Sequence, residues 1–344
     1  VPGKWLFFFN ELRGKDIEVV GKKCANLGEM TNAGMPVPPG FALSLDVYQR
    51  FMKESGANEE IRQYLRKFGE EGPLSYSQYN EASKVIREIV ESKPMPQDIA
   101  EVIKNNYWKL CEQCGNQELP VATRSSGTVS MPGAYETYLN IRGAEDVVKH
   151  VIKVWGSVFS VQALGGRMVK KQPVEIPGIG VAVLKMVNAR AAGVAFTKHP
   201  NTGDPNKVVI EATWGLGESV VSGNMSPDRY IINKKTREIT KKINTKTKQV
   251  VYKDKGTAYV DVPTEIQNVQ CLTDDEINRV VELSLKVEKY YGGVAQDMEW
   301  VIENSLPESD NLFLVQTRNI TKTGEYKSSS EMLADMMVKR LFSL

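Results

Sequence analysis

Four short stretches of this 344-residue chain concentrate side chains that bind phosphate or a divalent cation. The first is VGKKCANLGEM, residues 20–30. One or two lysines, Lys22 and Lys23, stand just after a glycine at the start of a helical pattern. A cation there and the helix N-terminus attract the same anion. The second is VATRSSGTVSMPGAYETYL, residues 121–139. An apolar, strand-like run stops at Arg124, whose planar, permanently charged fork suits phosphate oxygens. Ser125, Ser126, Gly127 and Thr128 follow, offering hydroxyls and open main-chain N–H groups of the kind that form an anion nest. This is not a Walker A loop, because the GK[ST] ending is missing. An ordinary Ser/Gly surface turn is the plain alternative.

The third stretch, VVIEATWGLGESVVSG at residues 208–223, runs a strand into a glycine turn that permits close backbone approach. Glu218 could face a ribose hydroxyl or a lysine there. The fourth is a pair of strand-like runs. In QDMEWVIE, Asp297 and Glu299 are two apart and so share a strand face, with Trp300 on the other. In FLVQTR, Gln316 and Arg318 are likewise two apart. If these strands pair, two carboxylates, an amide oxygen and a guanidinium converge. Oxygen ligands on rigid strands suit Mg²⁺, and an arginine beside them suits a transferring phosphoryl group. A surface salt-bridge ladder is the alternative, although Asp and Glu are disfavoured in strand interiors. Together the four describe a site for a nucleoside triphosphate. The stretch VLKMV at residues 183–187 could bind adenine through main-chain groups.

The elements that must hold these residues divide into two textures. Residues 5–9 read as a buried strand and residues 23–33 as a helix closed by Gly34. A Pro-Gly turn and a short strand follow in PVPPGFALS. Residues 45–113 are mostly helical by apolar spacing. Two more helices fit residues 145–159 and 161–170. From about residue 179 short β-rich runs dominate, separated by Gly, Asn, Asp and Pro. One helix interrupts them at residues 274–291, opened by a Thr273/Glu276 capping box. A Ser-led amphipathic helix fits residues 327–344, packing on the chain or docking on another subunit. The boundary falls near residues 185–188.

Composition narrows the partners. Charged residues are 25% and hydrophobic residues 41%, ordinary for a globular protein, and the formal net charge is +2. No bulk electrostatic pull toward nucleic acid or membrane follows. No apolar run approaches the roughly 18–20 residues of a bilayer span, and no signal-peptide pattern is present, so a cytoplasmic location is expected. The four cysteines make no disulfide framework. Cys111 and Cys114 form a lone CxxC that reads as structural, with a redox or metal role as the alternative.

In this order the motifs GKKCANLGEM, RSSGTVSMPGAYETYLN, WGLGESVVSG, PDRY and DMEW…LVQTR resemble the nucleotide-binding domain of the phosphoenolpyruvate synthase and pyruvate, phosphate dikinase family. The resemblance covers about residues 5–321. It implies an α+β, ATP-grasp fold. A helix-rich lobe at 1–187 and a β-rich lobe at 188–322 would hold ATP between them, with a tail at 323–344. The family's phosphate-binding lysine falls on Lys23 and its phosphate-clamping arginine on Arg124, beside Ser125. Gly133 and Thr137 fall near the nucleotide. The adenine hinge falls on Leu184, Met186 and Val187, with Leu184 where many relatives carry Gln. The Mg²⁺ ligands fall on Glu299 and Gln316, with Asp297 close by and Arg318 on the phosphates.

Members of this family resemble one another in cleaving ATP to AMP and phosphate and passing the β-phosphate to a histidine on a swivelling domain. That histidine lies in a Gly-Gly-x-Thr-Ser-His-type motif. Neither His150, in VVKHVI, nor His199, in FTKHPNTG, has this context. The expectation is the ATP- and Mg²⁺-dependent half of a dikinase-type phosphotransferase. Its histidine would lie on a partner polypeptide of a hetero-oligomer. The final acceptor would be phenol, as in the phenylphosphate synthase branch, or pyruvate. Two other readings compete: a self-contained ATP-grasp ligase that releases ADP, and a non-catalytic nucleotide-sensing subunit. Product identity separates the first. The full set Lys23, Arg124, Glu299, Gln316 and Arg318 argues against the second.

Overall fold

The computed structural model describes residues 4–68, 75–128, 135–169, 173–174, 178–217 and 226–320. The chain forms two compact units. One comprises Val1–Asn32 with Pro39–Met186, the other Ala33–Pro38 with Val187–Leu344.

The first unit is built on an antiparallel sheet with strand order β1-β2-β5-β3-β4. Its strands are β1 (Leu6–Phe8), β2 (Gly40–Leu43), β3 (Val121–Ser126), β4 (Thr137–Ile141) and β5 (Gly180–Lys185). The inner strands GFAL and GVAVLK are apolar nearly throughout, as strands covered on both faces must be, whereas β1 at the edge is only partly buried. Its helices are α1 (Ile17–Asn32), α2 (Leu45–Glu54), α3 (Ala57–Leu65), α4 (Tyr76–Glu91), α5 (Gln97–Gln113), α6 (Ala144–Ser157) and α7 (Val161–Val169). In α5, Ile99, Ile103, Tyr107 and Leu110 recur at helical spacing and are all buried. They join Phe51 and Trp155, whose rings lie 4.9 Å apart, in one core. The helix expected over 23–33 begins earlier, at Ile17, but bends at Gly21.

The second unit carries a six-stranded antiparallel sheet of order β13-β12-β6-β7-β8-β9. These strands are β6 (Ala189–Phe196), β7 (Lys207–Trp214), β8 (Asp228–Asn233), β9 (Ile239–Lys242), β12 (Gln296–Glu303) and β13 (Leu312–Asn319); β10 (Lys248–Tyr252) and β11 (Thr257–Asp261) form a separate hairpin. Helix α8 (Asp274–Tyr290) packs across β6, β7 and β12. Its capping box forms as expected: Glu276 N–H donates to Thr273 Oγ1 at 3.2 Å, and Thr273 N–H donates to Glu276 Oε2 at 2.8 Å. Residues 33–38 join this unit through Leu314 N–H to Pro36 O at 2.9 Å and Lys286 Nζ to Gly34 O at 3.1 Å. The α+β expectation is met in both units. The tail expected at 323–344 lies outside the described residues.

Candidate functional site

Two clusters of the expected residues form, one in each unit. In the first unit β3 runs two residues past Arg124, so side-chain alternation continues through Ser126. Arg124 lies directly opposite Thr137 on one side and Ala182 on the other. Arg124, Ser126 and Thr137 therefore share a sheet face, as do Ala122 and its partner Leu184. Ser125 alternates with Arg124 along the strand. Its side chain is on the opposite face with Thr123 and is buried. Ser126 is the hydroxyl on the Arg124 face.

The backbone on either side of Lys23 meets the end of β3 through α1. The helix is interrupted at Gly21, whose backbone is left-handed (φ 78°, ψ 165°). Lys22 N–H donates to Gly127 O at 2.9 Å and Cys24 N–H to Ser126 Oγ at 3.0 Å. The helix also lies close on β5: a Cβ at Gly180 would sit 2.3 Å from the Val20 carbonyl oxygen. Burial pushes the Cys24 thiol up to about 12, while the Ser126 hydrogen bond and the charges of Lys23 and Arg124 pull it down. Both cations thus lie within electrostatic reach of one buried thiol. Leu184 and Met186 are buried at the end of this unit's central strand, and the Met186 N–H donates to Pro120 O at 2.9 Å. That donor is already used within the unit. Val187, assigned to the second unit, packs with Ala192 and Val301.

In the second unit β12 and β13 pair antiparallel, with Asp297 opposite Arg318 and Glu299 opposite Gln316. Gln316 Nε2 donates to Glu299 Oε1 at 3.0 Å, and Arg318 Nε donates to Asp297 Oδ2 at 2.6 Å. All four side chains share one face. Burial raises the Asp297 pKa above the usual carboxylate value; Arg318 opposes this and Glu299 adds to it. The oxygen-only set of two carboxylates and an amide fits Mg²⁺, which binds through one or two carboxylates and keeps waters and substrate oxygens as its other ligands. Among the described residues no group of three or more His, Cys, Asp or Glu side chains could hold a metal by itself.

Register also reveals neighbours that sequence reasoning passed over. The Glu299 row continues across the sheet through Val194 to Glu211 and Arg229. Glu211, a lone acid in an apolar strand, is the signal that could have marked this row. Asp228 in the PDRY motif is buried and bonds Lys246 Nζ at 2.6 Å, with both side chains fully inaccessible. Gly133 and Glu218 lie outside the described residues. Cys111 and Cys114 are free thiols. Cys111 is buried, with Leu119 N–H directed at its sulfur at 3.4 Å, which fits the structural reading. Among the described residues no helix is long and apolar enough to cross a membrane.

Residues 17–339 match the family described as pyruvate phosphate dikinase, AMP/ATP-binding domain. The chain is 42% identical over 326 residues to a probable phosphoenolpyruvate synthase of Methanocaldococcus jannaschii, covering 92% of this chain and 27% of that protein. It is 36% identical over 349 residues to one of Methanothermobacter thermautotrophicus, covering 98% and 49%. The chain thus spans between about a quarter and a half of the length of these relatives. Among solved structures it is similar to the biotin carboxylase domain of Hydrogenobacter thermophilus 2-oxoglutarate carboxylase. That likeness has 13% identity and a TM-score of 0.35, over 93% of this chain and 46% of that one. The chain belongs to the pyruvate phosphate dikinase AMP/ATP-binding domain family, and its α+β units on antiparallel sheets are those expected of an ATP-grasp fold.

Proposed function

We propose that this chain binds and cleaves ATP in a dikinase-type phosphotransfer. The lobes expected at residues 1–187 and 188–322 correspond to the two units, except that residues 33–38 and Val187 belong with the second. Lys23, Arg124 and Arg318 carry the phosphates. Thr137, Gly133, Glu218 and the 184–187 segment hold the rest of the nucleotide. Asp297, Glu299 and Gln316 hold Mg²⁺, which when bound supplies charge neutralisation at the phosphate oxygens. The observation that carries this reading is the single sheet face on which Asp297 pairs with Arg318 and Glu299 with Gln316. Pure nucleotide sensing does not call for metal oxygens beside a phosphate-binding guanidinium, while phosphoryl transfer calls for both.

The products on this reading are AMP and phosphate, with the β-phosphoryl group passed to a histidine outside residues 1–344. Sequence context supports an external histidine, because neither His150 nor His199 lies in a Gly-Gly-x-Thr-Ser-His-type motif. His199 Nδ1 accepts from the N–H groups of Asn201 and Thr202, at 3.3 and 3.2 Å. Its lone pair is engaged and its other nitrogen carries the proton, so the ring has no free nucleophilic nitrogen. His150 Nδ1 donates to Asp146 O at 2.7 Å, which leaves the lone pair on Nε2, and its ring sits edge-on to Tyr138 in a half-buried position. The histidine-bearing element would come from a partner polypeptide in a hetero-oligomer. The relatives named phosphoenolpyruvate synthase favour pyruvate as final acceptor over the phenol of the phenylphosphate synthase branch.

The test is a pull-down from native extract followed by incubation with β-labelled ATP and Mg²⁺. AMP as product, with label on a histidine outside this chain, is the expected result. ADP as product would favour a ligase, and label retained on residues 1–344 would overturn the external histidine.

A further inference from the structure

We infer that Ser126 is a positioning residue, a helix cap supplied from a distant strand that fixes Lys23 relative to Arg124. The inference rests on the phosphate-gripping role proposed above for those two cations.

The regular turn carrying Lys23 starts at Gly21. A residue in that capping position usually offers its own side-chain oxygen to the N–H two or three residues on. Gly21 has no side chain and no room for one. Its φ is 78°, and a Cβ would lie 1.9 Å from the Ser126 carbonyl oxygen. The missing acceptor comes from β3 instead. Ser126 Oγ takes the N–H of Cys24, 102 residues away in the chain, at 3.0 Å in a buried position. The next residue along, Gly127, takes the N–H of Lys22 through its carbonyl, at 2.9 Å.

Lys23 lies between these two bonds, and Arg124 lies two residues before Ser126 on the same strand face. A shift of the helix start against the strand end would break both bonds and change the spacing of the two cations. Ser126 is fully buried, so its hydroxyl acts through its neighbours rather than on a nucleotide. A buried hydrogen bond also escapes competition from water, so its loss leaves the Cys24 N–H unsatisfied. Gly21 and Ser126 thus form one interlock: the first gives up its side chain so that the second can come close enough to cap.

The test compares the affinities of the full chain for ATP and AMP, by calorimetry with Mg²⁺ present, alongside thermal melts. Ser126→Ala removes the acceptor. Ser126→Cys fills the space with a slightly larger sulfur that is a poor acceptor, and so reads the same point if the alanine variant folds badly. Ser126→Thr restores the hydroxyl. The expected result is an ATP-to-AMP preference that falls about tenfold in the Ala and Cys variants, the scale of one lost helix cap, and returns in the Thr variant. Loss of ATP and AMP affinity in equal measure, or a lowered melting temperature with the preference intact, would reduce Ser126 to a packing role and overturn the inference. Arg124→Ala and Lys23→Ala serve as reference. If they lower the preference while the Ser126 variants do not, the interlock fails and the phosphate-gripping reading stands. If neither lowers it, that reading fails first and takes the inference with it.

Discussion

Arg318 places both Nε and Nη2 at 2.6 Å from a single oxygen of Asp297, its direct cross-strand partner. Two residues along the same face, Gln316 and Glu299 repeat the pairing with a neutral amide. A charged pair and a charge–amide pair therefore sit side by side, so these four side chains set two carboxylates against one guanidinium. On the proposed reading the two carboxylates would hold a divalent cation, with Glu299 supplying one of the two negative charges. Glu299→Gln preserves size and hydrogen bonding but removes this charge. The Mg²⁺ concentration supporting half-maximal ATP binding should rise at least tenfold, given that even outer-shell partners of a metal contribute about 10–100-fold. A Mg²⁺ titration of ATP binding measures it, and an unchanged midpoint would remove Glu299 from the ligand set.

Arg124 is half-buried at the end of β3, opposite Thr137. An arginine fork is worth most where charge develops on phosphate oxygens in a site shielded from water. Arg124→Ala should slow ATP cleavage by about 10²–10³-fold, the usual scale for loss of one such donor. The fold should persist, since the sheet pairs through backbone groups. Arg124→Lys should recover only part of the rate, because an ammonium cannot supply the planar fork. Single-turnover AMP formation reads this directly, and wild-type turnover in the alanine variant would end the role assigned to Arg124.

The residues that could be read in advance share a local signal. Thr273 and Glu276 are three apart and announce a capping box; Asp297/Glu299 and Gln316/Arg318 are two apart and announce a strand face. What escaped depends on contacts between distant segments. β3 extends to Ser126 because β5 pairs with it over its whole length, so Ser125 and Ser126 fall on opposite faces and Ser126 shares the face of Arg124. Helix α1 is bent at Gly21 because the Ser126 carbonyl lies against it, a constraint 105 positions away that no periodicity encodes. Residues 33–38 look like a simple turn between neighbours, yet they bond to Leu314 and Lys286.

The Asp228–Lys246 pair is another long-range feature, and its energetics are testable. Both side chains are fully inaccessible, with Nζ and Oδ1 2.6 Å apart. Asp228 also accepts from Asn244 N–H at 3.0 Å, Cys271 N–H at 2.9 Å and Tyr230 Oη at 3.3 Å. Asp228→Ala strands a buried ammonium and should cost about 3–5 kcal/mol of unfolding free energy. Replacing both partners, Asp228→Leu with Lys246→Met, removes the stranded charge and should recover only part of that loss. The Asn244 and Cys271 N–H groups remain without the carboxylate, at about 1–3 kcal/mol for a buried unsatisfied donor. Urea unfolding of the three proteins measures the difference. Full recovery in the double variant would mean that the backbone contacts of Asp228 contribute little.

The two histidines set an acid limit on stability. Burial lowers the pKa of His199 below 6.5, with Arg229 and Lys207 pressing the same way and Asp204 opposing. His150 is lowered by burial first, with Lys153 adding and the Asp146 carbonyl opposing. In both cases the folded state holds the neutral ring while the unfolded chain protonates near 6.5. Between the lowered folded value and 6.5 the unfolded state therefore binds more protons, and stability falls as pH falls. Their contribution is present in full above about pH 7 and is lost as the pH drops through 6.5 and then through the folded values. Protonating His199 would also set an N–H against the two backbone donors of Asn201 and Thr202. Replacing both histidines, His150→Gln with His199→Asn, should flatten the unfolding free energy between pH 7.5 and 5.5 relative to wild type. Urea melts at the two pH values give the slope, and an equally steep loss in the double variant would assign the acid limit to other groups.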